Sequence, residues 1–272
     1  YVGAGVNIEE ARKPFIFIHD DKKIGILNFA ENEFCSATKS SAGANPVNLI
    51  NNNYDIKKLK QEVDFLIVIA HGGREHYQLP TPNQRDRYRF YVDSGADLVV
   101  GHHSHCFSGY ENYNDKYIFY SLGNFIFDYK KKYQKGLWTE GYAVLFDINF
   151  ENKKVKFDLH PFQQGQLKKP LLNLLNKKQK EVFFKKIFEL NNLIIDDSMF
   201  QKSWRQYLKT QKVIYKSDLF VKNSYLRALM LKGFFPKFYW ASKSRKTNLL
   251  NLYRCETHRE ILIDILSEEI NS

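Results

Sequence analysis

Apolar and polar positions alternate in blocks along the first part of the chain, and the blocks predict its elements. Two apolar runs, 14–19 and 24–30, flank a short polar turn and predict a β-hairpin. Residues 31–54 are rich in Asn, Ser, Ala and Gly and predict a loop, whereas residues 55–62 have the spacing of a polar helix. Residues 64–70 form an apolar run after an Asp, which is typical of a strand buried on both faces.

A second buried strand follows after a helix. Asn83 can cap a helix over about 84–94, and Gly95 provides a stop signal at its end. The apolar run 97–100 then predicts the next strand. Alternating strand, helix and strand indicate an α/β fold, in which ligands bind at the carboxyl ends of the strands.

The pattern changes again in the second half of the chain. Residues 117–127 are strand-rich, and residues 142–150 and 154–162 predict a second hairpin. Residues 169–193 and 198–270 predict amphipathic or basic helices. We therefore expect an α/β domain followed by a mostly helical extension.

The distribution of charge also divides the chain into two segments, before and after residue 165. Residues 1–165 hold 20 Lys+Arg and 20 Asp+Glu, while residues 166–272 hold 21 Lys+Arg and 10 Asp+Glu, so the second segment carries the whole formal net charge of +11. We predict a domain over 1–165 and a basic, aromatic-rich extension over 166–272. The extension could face a membrane surface, an acidic polymer or nucleic acid, could dock on the domain, or could simply be a solvated lysine-rich surface.

Several classes of protein are excluded or unsupported. An aromatic content of 15% argues against disorder. No apolar stretch reaches the roughly 18 residues that a membrane-spanning helix needs, and no signal peptide is visible. Cys35, Cys106 and Cys255 are far apart and indicate neither a disulfide framework nor a structural zinc site. No Gly-x-Ser-x-Gly motif supports a serine hydrolase, and Gly3-Ala4-Gly5 is too short for a dinucleotide-binding fingerprint.

Histidines follow both predicted buried strands. His71 ends the first, and the pair His103 and His105 comes just after the second. Neutral imidazole is a good ligand for Zn, Mn and Fe. Because carboxyl ends of neighbouring strands meet at one edge of a sheet, we predict that these three side chains bind metal.

Two further residues are candidates for catalysis. Glu75 could order a water, donate a proton or bind substrate, or it could form a salt bridge to Arg74 or Arg85. Asn124, in the segment that begins at Ser121, could reach the metals, or the segment could be a β-bulge that only bends a strand.

The other histidines have weaker claims. His102 directly precedes the pair and is expected to point the opposite way, toward the core or behind the ligands. His76 could contact substrate or lie on the surface. We expect structural roles for His19, His160 and His258.

An ordered set of motifs runs along the first half of the chain. The motifs are Gly3-x-Gly5-x-Asn7-x-x-Glu10-Ala11, Asp64 through His71-Gly72-Gly73-x-Glu75, Pro80 with Gln84, Asp93-x-Gly95-Ala96-Asp97 through Gly101-His102-His103-Ser104-His105, Gly109-x-Glu111, and Tyr120-Ser121-Leu122-Gly123-Asn124-Phe125-x-Phe127-Asp128. In this order and spacing they resemble the bacterial capsule-synthesis (CapA, poly-γ-glutamate capsule) family, which is similar to the calcineurin-like metallophosphoesterases. The resemblance covers residues 1–130 and fades by about 165.

This resemblance implies a metallophosphoesterase-like αββα sandwich with two divalent metal ions, Mn, Zn or Fe. By motif match His71, His103 and His105 would be ligands. If the protein is an enzyme, Glu75 and Asn124 would orient substrate or water. The family's earlier motifs, an acidic residue near a first strand and Asn-Leu-Glu and Asn-Asn-His segments, do not occur before Gly3. We therefore expect a truncated sandwich with an incomplete site, inactive and poorly stable alone.

The resemblance points to synthesis or export of a capsule polymer at the cell envelope. The first hypothesis is a metal-dependent hydrolase that acts on a phosphate-bearing substrate or on an acyl or amide bond. The second is a non-catalytic assembly factor of the capsule-synthesis machinery that binds an anionic polymer. A nucleic-acid phosphoesterase ranks last, because only the basic extension supports it.

Overall fold

The computed structural model describes residues 1–32, 35–127, 135–166, 169–220 and 224–234. Two compact units divide the chain, Tyr1–Trp204 and Arg205–Ser272. The elements are β1 (Ala4–Gly5), α1 (Ile8–Ala11), β2 (Phe15–His19), β3 (Lys22–Ala30), β4 (Gly43–Ala44), α2 (Leu49–Lys60), β5 (Phe65–His71), α3 (Pro82–Asp93), β6 (Leu98–His102), β7 (Tyr110–Tyr113), β8 (Lys116–Phe119), a 3₁₀ helix (Gly136–Thr139), β9 (Glu140–Asn149), β10 (Lys154–Gln166), β11 (Lys169–Leu174), α4 (Lys177–Ile195), α5 (Asp197–Phe220) and α6 (Ser224–Leu231).

A six-stranded, mostly parallel sheet forms the centre of the first unit. Its strand order is β2-β3-β5-β6-β8-β7, and the four inner strands run parallel while β2 and β7 pair antiparallel at the two edges. The β5 run is apolar at nearly every position because both of its faces are covered. In register, Ala30 lies beside His71 and His71 beside His102, so three strands end at one level.

A three-stranded antiparallel sheet, in the order β11-β10-β9, packs against one face of the central sheet. Tyr117 and Phe119 are two residues apart on β8 and therefore share a face. Their ring centroids lie 4.8 and 5.1 Å from that of Phe157 on β10. This mixed α/β architecture confirms the predicted fold class at the level of sheets and helices, including the hairpin formed by β9 and β10.

The helix α3 begins earlier than the sequence indicated. Its cap is Thr81 rather than Asn83, because the Thr81 hydroxyl accepts from the Gln84 amide and the Gln84 side chain accepts from the Thr81 amide. Pro82 occupies the first turn, where its missing N–H costs no hydrogen bond.

Two other element boundaries were wrong. The predicted loop 31–54 ends early, because Asn48 caps α2 and the helix begins at Leu49. Residues 169–174 form β11 instead of helix, because they pair with the end of β10. The remaining helical prediction agrees with α4, α5 and α6, while residues 235–272 lie outside the described part of the chain.

The α4 helix is part of the core of the first unit. Phe183, Ile187, Leu190 and Ile194 repeat at helical spacing and are buried, and the Phe183 ring lies 4.8 Å from that of Phe107. The compact unit Tyr1–Trp204 thus contains β11 and α4, while the domain limit at residue 165 stays a prediction. No helix in the described ranges has the length and apolar character needed to cross a membrane.

Among the described residues, no strand pairs with the outer side of β2, at one edge of the central sheet. Side chains of β2 are exposed on both faces, including Ile16 and Ile18 on one face and Phe15 and Phe17 on the other. Sheet edges of this kind are surfaces on which further chain can pair.

Candidate functional site

The candidate site lies at the carboxyl edge of the central sheet. His71 ends β5, His102 ends β6, and the Gly72 amide donates to the His102 carbonyl at 3.1 Å, which holds the two strand ends together. The chain then turns into the loop that carries His103 and His105. Parallel pairing therefore brings together histidines that are about 30 residues apart in sequence.

The three predicted metal ligands line one cavity of about 580 Å³. His71 Nε2 and His103 Nδ1 lie 3.1 Å apart. The ring centroids of His103 and His105 are 6.0 Å apart. The structure thus brings together the three side chains that the sequence selected, while their role as ligands stays a prediction.

Backbone strain is concentrated at this edge. His76, His103 and His105 have φ values of +59°, +105° and +55°, in a region that residues with a side chain rarely occupy. The other described non-glycine residues with positive φ are Asp20, Asp21, Asn114, Asp115 and Lys153. Those five lie in or beside the tight connections between paired strands, where positive φ is usual, whereas the strained histidines do not and point to a functional constraint.

Asn124 is the polar residue that ties the histidine loop to the following segments. It is buried, and its Oδ1 lies 2.9 Å from His105 Nδ1. Its Nδ2 donates to the His105 carbonyl at 3.3 Å and to the Trp138 carbonyl at 3.0 Å. The His105 ring is stacked on Trp138 and Phe127, with centroid distances of 4.7 and 5.2 Å.

The rest of the cavity wall is apolar. Its described lining contains no Lys, Arg, Asp or Glu, and the residues beyond the histidines and Asn124 are Leu122, Gly123, Phe125, Ile126, Phe127, Tyr142, Ala143, Val144 and Phe162. The Tyr142 hydroxyl already donates to the Ser108 carbonyl, so imidazole nitrogens and one amide are the polar side-chain groups that this part of the site offers to a ligand.

His102 does not behave as the sequence suggested. It lines the cavity with the other histidines instead of pointing to the opposite side. Burial lowers its pKa to about 4, and the proximity of His71 contributes in the same direction. His102 is consequently a neutral group at physiological pH.

The two predicted catalytic residues have different positions. Asn124 is in the site, whereas Glu75 is exposed and is not among the described residues that line the cavity. His76 is also exposed, with its ring 5.7 Å from that of Trp138 and 6.4 Å from that of His105. The catalytic roles of Glu75 and Asn124 stay predictions.

Sequence reasoning missed Glu31, a carboxylate at the same edge. Its amide donates to the His71 carbonyl at 2.8 Å, its Oε2 accepts from the Gly73 amide at 3.1 Å, and it pairs with Arg87. Its position directly after the strand 24–30 was the available signal. Trp138 was also missed, because only the folded chain places it against His105.

A glycine and a glutamine shape the turn after His71. Gly73 has a φ of +114°, and a Cβ on it would lie 2.5 Å from the Gln84 Oε1. The Gln84 Nε2 donates to the Gly72 carbonyl at 3.0 Å. Glycine is required here because α3 packs directly against the turn.

Another motif residue has a structural partner. Glu111 is buried, and Arg89 donates to its two carboxylate oxygens at 2.9 and 2.7 Å. The hydroxyl of Tyr120 donates to the same carboxylate. Glu111 thus stabilises the packing of α3 on β7 rather than contributing to the cavity.

The donor set is partly arranged for a cation. Nitrogens 3.1 Å apart, as in His71 and His103, match two ligands that each lie about 2.1 Å from a shared ion. Within the described residues, however, no three His, Cys, Asp or Glu side chains are assembled into a metal-binding group. The residues therefore fit one cation through a histidine pair, and a complete coordination shell requires further donors.

The comparisons with known proteins concern the N-terminal half. The chain is 34% identical over 134 residues to the capsule biosynthesis protein CapA of Bacillus anthracis, covering 47% of this chain and 33% of that protein. It is 35% identical over 130 residues to the PGA biosynthesis protein CapA of Bacillus subtilis (strain 168), covering 47% of this chain and 34% of that protein. The chain thus spans about a third of the length of these curated relatives.

A solved structure of a hypothetical protein from Thermus thermophilus is similar over 56% of this chain and 62% of that chain, with a TM-score of 0.36 and 10% identity. That likeness is too low to support a conclusion. The family match is specific, since residues 1–129 correspond to the family described as bacterial capsule synthesis protein PGA_cap. The N-terminal half of this chain, residues 1–129, therefore belongs to the bacterial capsule synthesis PGA_cap family.

Proposed function

We propose that this protein acts in the synthesis or export of a capsule polymer, poly-γ-glutamate or another, as a metal-dependent phosphoesterase-like hydrolase. His71, His103 and His105 would hold divalent metal at the carboxyl edge of the sheet. The full site would take two ions, Mn, Zn or Fe, with further donors beyond these three histidines.

The observation that carries the proposal is the convergence of His71 Nε2 and His103 Nδ1 at 3.1 Å, in a cavity that His105 also lines. Two imidazole nitrogens at this separation either share a proton or share a cation. The strained backbone at His103 and His105 supports the second interpretation, because such strain persists where a function requires it.

The chemistry follows from the residues that surround the cavity. When bound, divalent cations supply Lewis acidity toward a phosphoryl or carbonyl oxygen. The apolar wall excludes water from one side, which strengthens electrostatic interactions inside the site. Asn124 orients His105, and Glu31 keeps the turn after His71 in place through the Gly73 amide.

We also propose that the two packed sheets form a metallophosphoesterase-like αββα sandwich. The antiparallel sheet on one face and the helices α2 and α3, which pack their buried faces on the central strands, support this arrangement. The family of residues 1–129 supports a location at the cell envelope.

Metal content tests the proposal directly. The purified chain is compared with the His103→Ala/His105→Ala variant and with His19→Ala, whose histidine is exposed on β2 outside the cavity. We expect bound divalent metal in the wild type and in His19→Ala, and loss of that metal from the double variant. Equal metal content in all three proteins would show that the cluster does not bind it.

The alternative function is a non-catalytic assembly factor that binds an anionic polymer. The absence of a complete group of metal donors among the described residues favours it, and so does the basic composition of residues 166–272. The anionic polymer, other proteins of the capsule machinery or a membrane surface would then be the partners. Nucleic acid remains the least supported partner.

Capsule formation separates the two functions. A strain with His103→Ala is expected to lose capsule and to lose metal-dependent hydrolysis if the protein is an enzyme. Normal capsule production in that strain, with the protein present at its usual level, would favour the assembly factor.

A further inference from the structure

We infer that Asn124 locks His105 in the neutral tautomer that carries its proton on Nδ1, so that Nε2 keeps a free lone pair for the ligand of the cavity. Asn124 is thus a positioning residue for His105. The inference deepens the proposed function and rests on it for the role of the Nε2 lone pair. The tautomer itself is set by hydrogen bonds within the chain and does not depend on a bound metal.

Two hydrogen bonds fix the orientation of the Asn124 amide. Its Nδ2 lies 3.3 Å from the His105 carbonyl oxygen and 3.0 Å from the Trp138 carbonyl oxygen. Both of these atoms only accept, so the amide NH2 must face them. The flipped amide would place its oxygen against two carbonyl oxygens and lose both hydrogen bonds.

The orientation of the Asn124 amide decides which ring nitrogen of His105 carries the proton. With the amide fixed, Oδ1 is the atom that lies 2.9 Å from His105 Nδ1. An amide oxygen cannot donate, so the imidazole must donate and its proton resides on Nδ1. In a neutral imidazole the other nitrogen, Nε2, is then the acceptor.

Packing and hydrogen bonds hold both His105 and Asn124 in place. The His105 ring packs against both Trp138 and Phe127, whose centroids lie 4.7 and 5.2 Å from its own. Asn124 is buried and bridges the histidine loop to the 3₁₀ helix that carries Trp138. A further donor to the Trp138 carbonyl is the Gln164 Nε2 at 3.0 Å, so this anchor is held from two sides.

The lone pair on His105 Nε2 is therefore in place before a ligand binds. A nitrogen with a lone pair can bind a metal ion or accept a proton, whereas an N–H cannot. Outer partners that fix the tautomer of a ligating histidine in this way contribute about 10- to 100-fold to metal affinity.

Nitrogen NMR tests the tautomer directly. The chain is labelled with ¹⁵N-histidine, treated with a chelator and studied at about pH 8, where unperturbed imidazoles are neutral. The His105 signals are assigned by their disappearance in His105→Gln. We expect a protonated Nδ1 and an unprotonated Nε2, and a His105 with its proton on Nε2 would overturn the inference.

Variants test the role of Asn124. In Asn124→Ala we expect the His105 signals to move toward a mixture of the two tautomers, while Ser121→Ala, a buried neighbour on the same segment, leaves them unchanged. Unchanged His105 signals in a folded Asn124→Ala protein would contradict the inference. If Asn124→Ala does not fold, the wild-type measurement alone decides.

Metal titration separates this inference from the proposed function. If both hold, Asn124→Ala binds Mn²⁺ or Zn²⁺ about 10- to 100-fold more weakly than Ser121→Ala does. A fixed Nδ1–H tautomer in a wild-type protein that binds neither ion would sink the metal-dependent function and leave the positioning role intact.

Discussion

At the residue scale, the pH response of the metal-free protein depends on His102. Its folded pKa of about 4 lies below the unfolded value of about 6.5, mainly because the imidazole is partly buried. Between these values the unfolded chain binds more protons than the folded chain, so the free energy of unfolding falls as pH falls through this window.

We therefore expect the chelator-treated protein to lose stability between about pH 6.5 and pH 4, and His102→Gln to lose part of that dependence. Urea denaturation at several pH values measures it. His19→Gln is the matched control, because His19 is exposed. Identical pH profiles for wild type and His102→Gln would show that His102 is not responsible.

Buried charge gives a second prediction at the residue scale. Arg89 and Glu111 form a bidentate pair, and Glu111 is buried with the Tyr120 hydroxyl as a further donor. Arg89→Met leaves the Glu111 carboxylate without its counter-charge, which costs about 3–5 kcal/mol of unfolding free energy.

The double variant Arg89→Met/Glu111→Gln removes both charges and is expected to recover a substantial part of that loss. Urea denaturation of the two variants beside the wild type provides the comparison. A double variant no more stable than Arg89→Met would mean that packing, rather than the unpaired charge, dominates the cost.

At the scale of elements, one arginine connects α3 to the end of α4 and the start of α5. Arg85 is buried, donates to the Ile194 carbonyl at 2.9 Å and lies 4.0 Å above the Phe200 ring. It also pairs with Asp197 at 2.7 Å, but that carboxylate is 77% exposed.

These contacts predict that substitutions of Arg85 and Asp197 lower the unfolding free energy by unequal amounts. Arg85→Met should lower the unfolding free energy by about 2–3 kcal/mol, because it loses a buried hydrogen bond and a cation–π contact. Asp197→Asn should cost about 1 kcal/mol or less, because exposed ion pairs contribute little. Thermal and urea unfolding measure both, and equal losses would show that the exposed pair contributes more than its surroundings suggest.

At the scale of the whole molecule, the stability of the fold depends on residues beyond the predicted domain boundary. Within the described part of the chain, five buried side chains that follow residue 165 join the core: Phe183, Ile187, Leu190, Ile194 and Phe200. Each contributes about 1.5–3 kcal/mol by burial, which together is comparable to the whole stability of a domain.

Truncation after residue 165 should therefore yield a protein that does not unfold cooperatively, whereas truncation after Trp204 should keep a cooperative transition. Circular dichroism during heating distinguishes them. A cooperative transition in residues 1–165 would show that the first strands and helices form a stable core without α4.

The sequence by itself indicated most of the local elements and the sheet edge at which the candidate site lies. Apolar runs identified β5 and β6, because a strand buried on both faces needs continuous apolar residues, and His71, His103 and His105 could be placed at or just after their ends. The capsule-synthesis motifs also indicated the family of residues 1–129.

Only the tertiary structure decided which long-range partners complete those elements. Residues 169–174 form a strand because they pair with β10. His102 lines the cavity because it ends β6 at the carboxyl edge of the sheet, beside the end of β5. The stacking of His105 on Trp138 and the bond from Asn124 that sets its tautomer depend on contacts across 14 to 33 residues, which local propensity and periodicity do not encode.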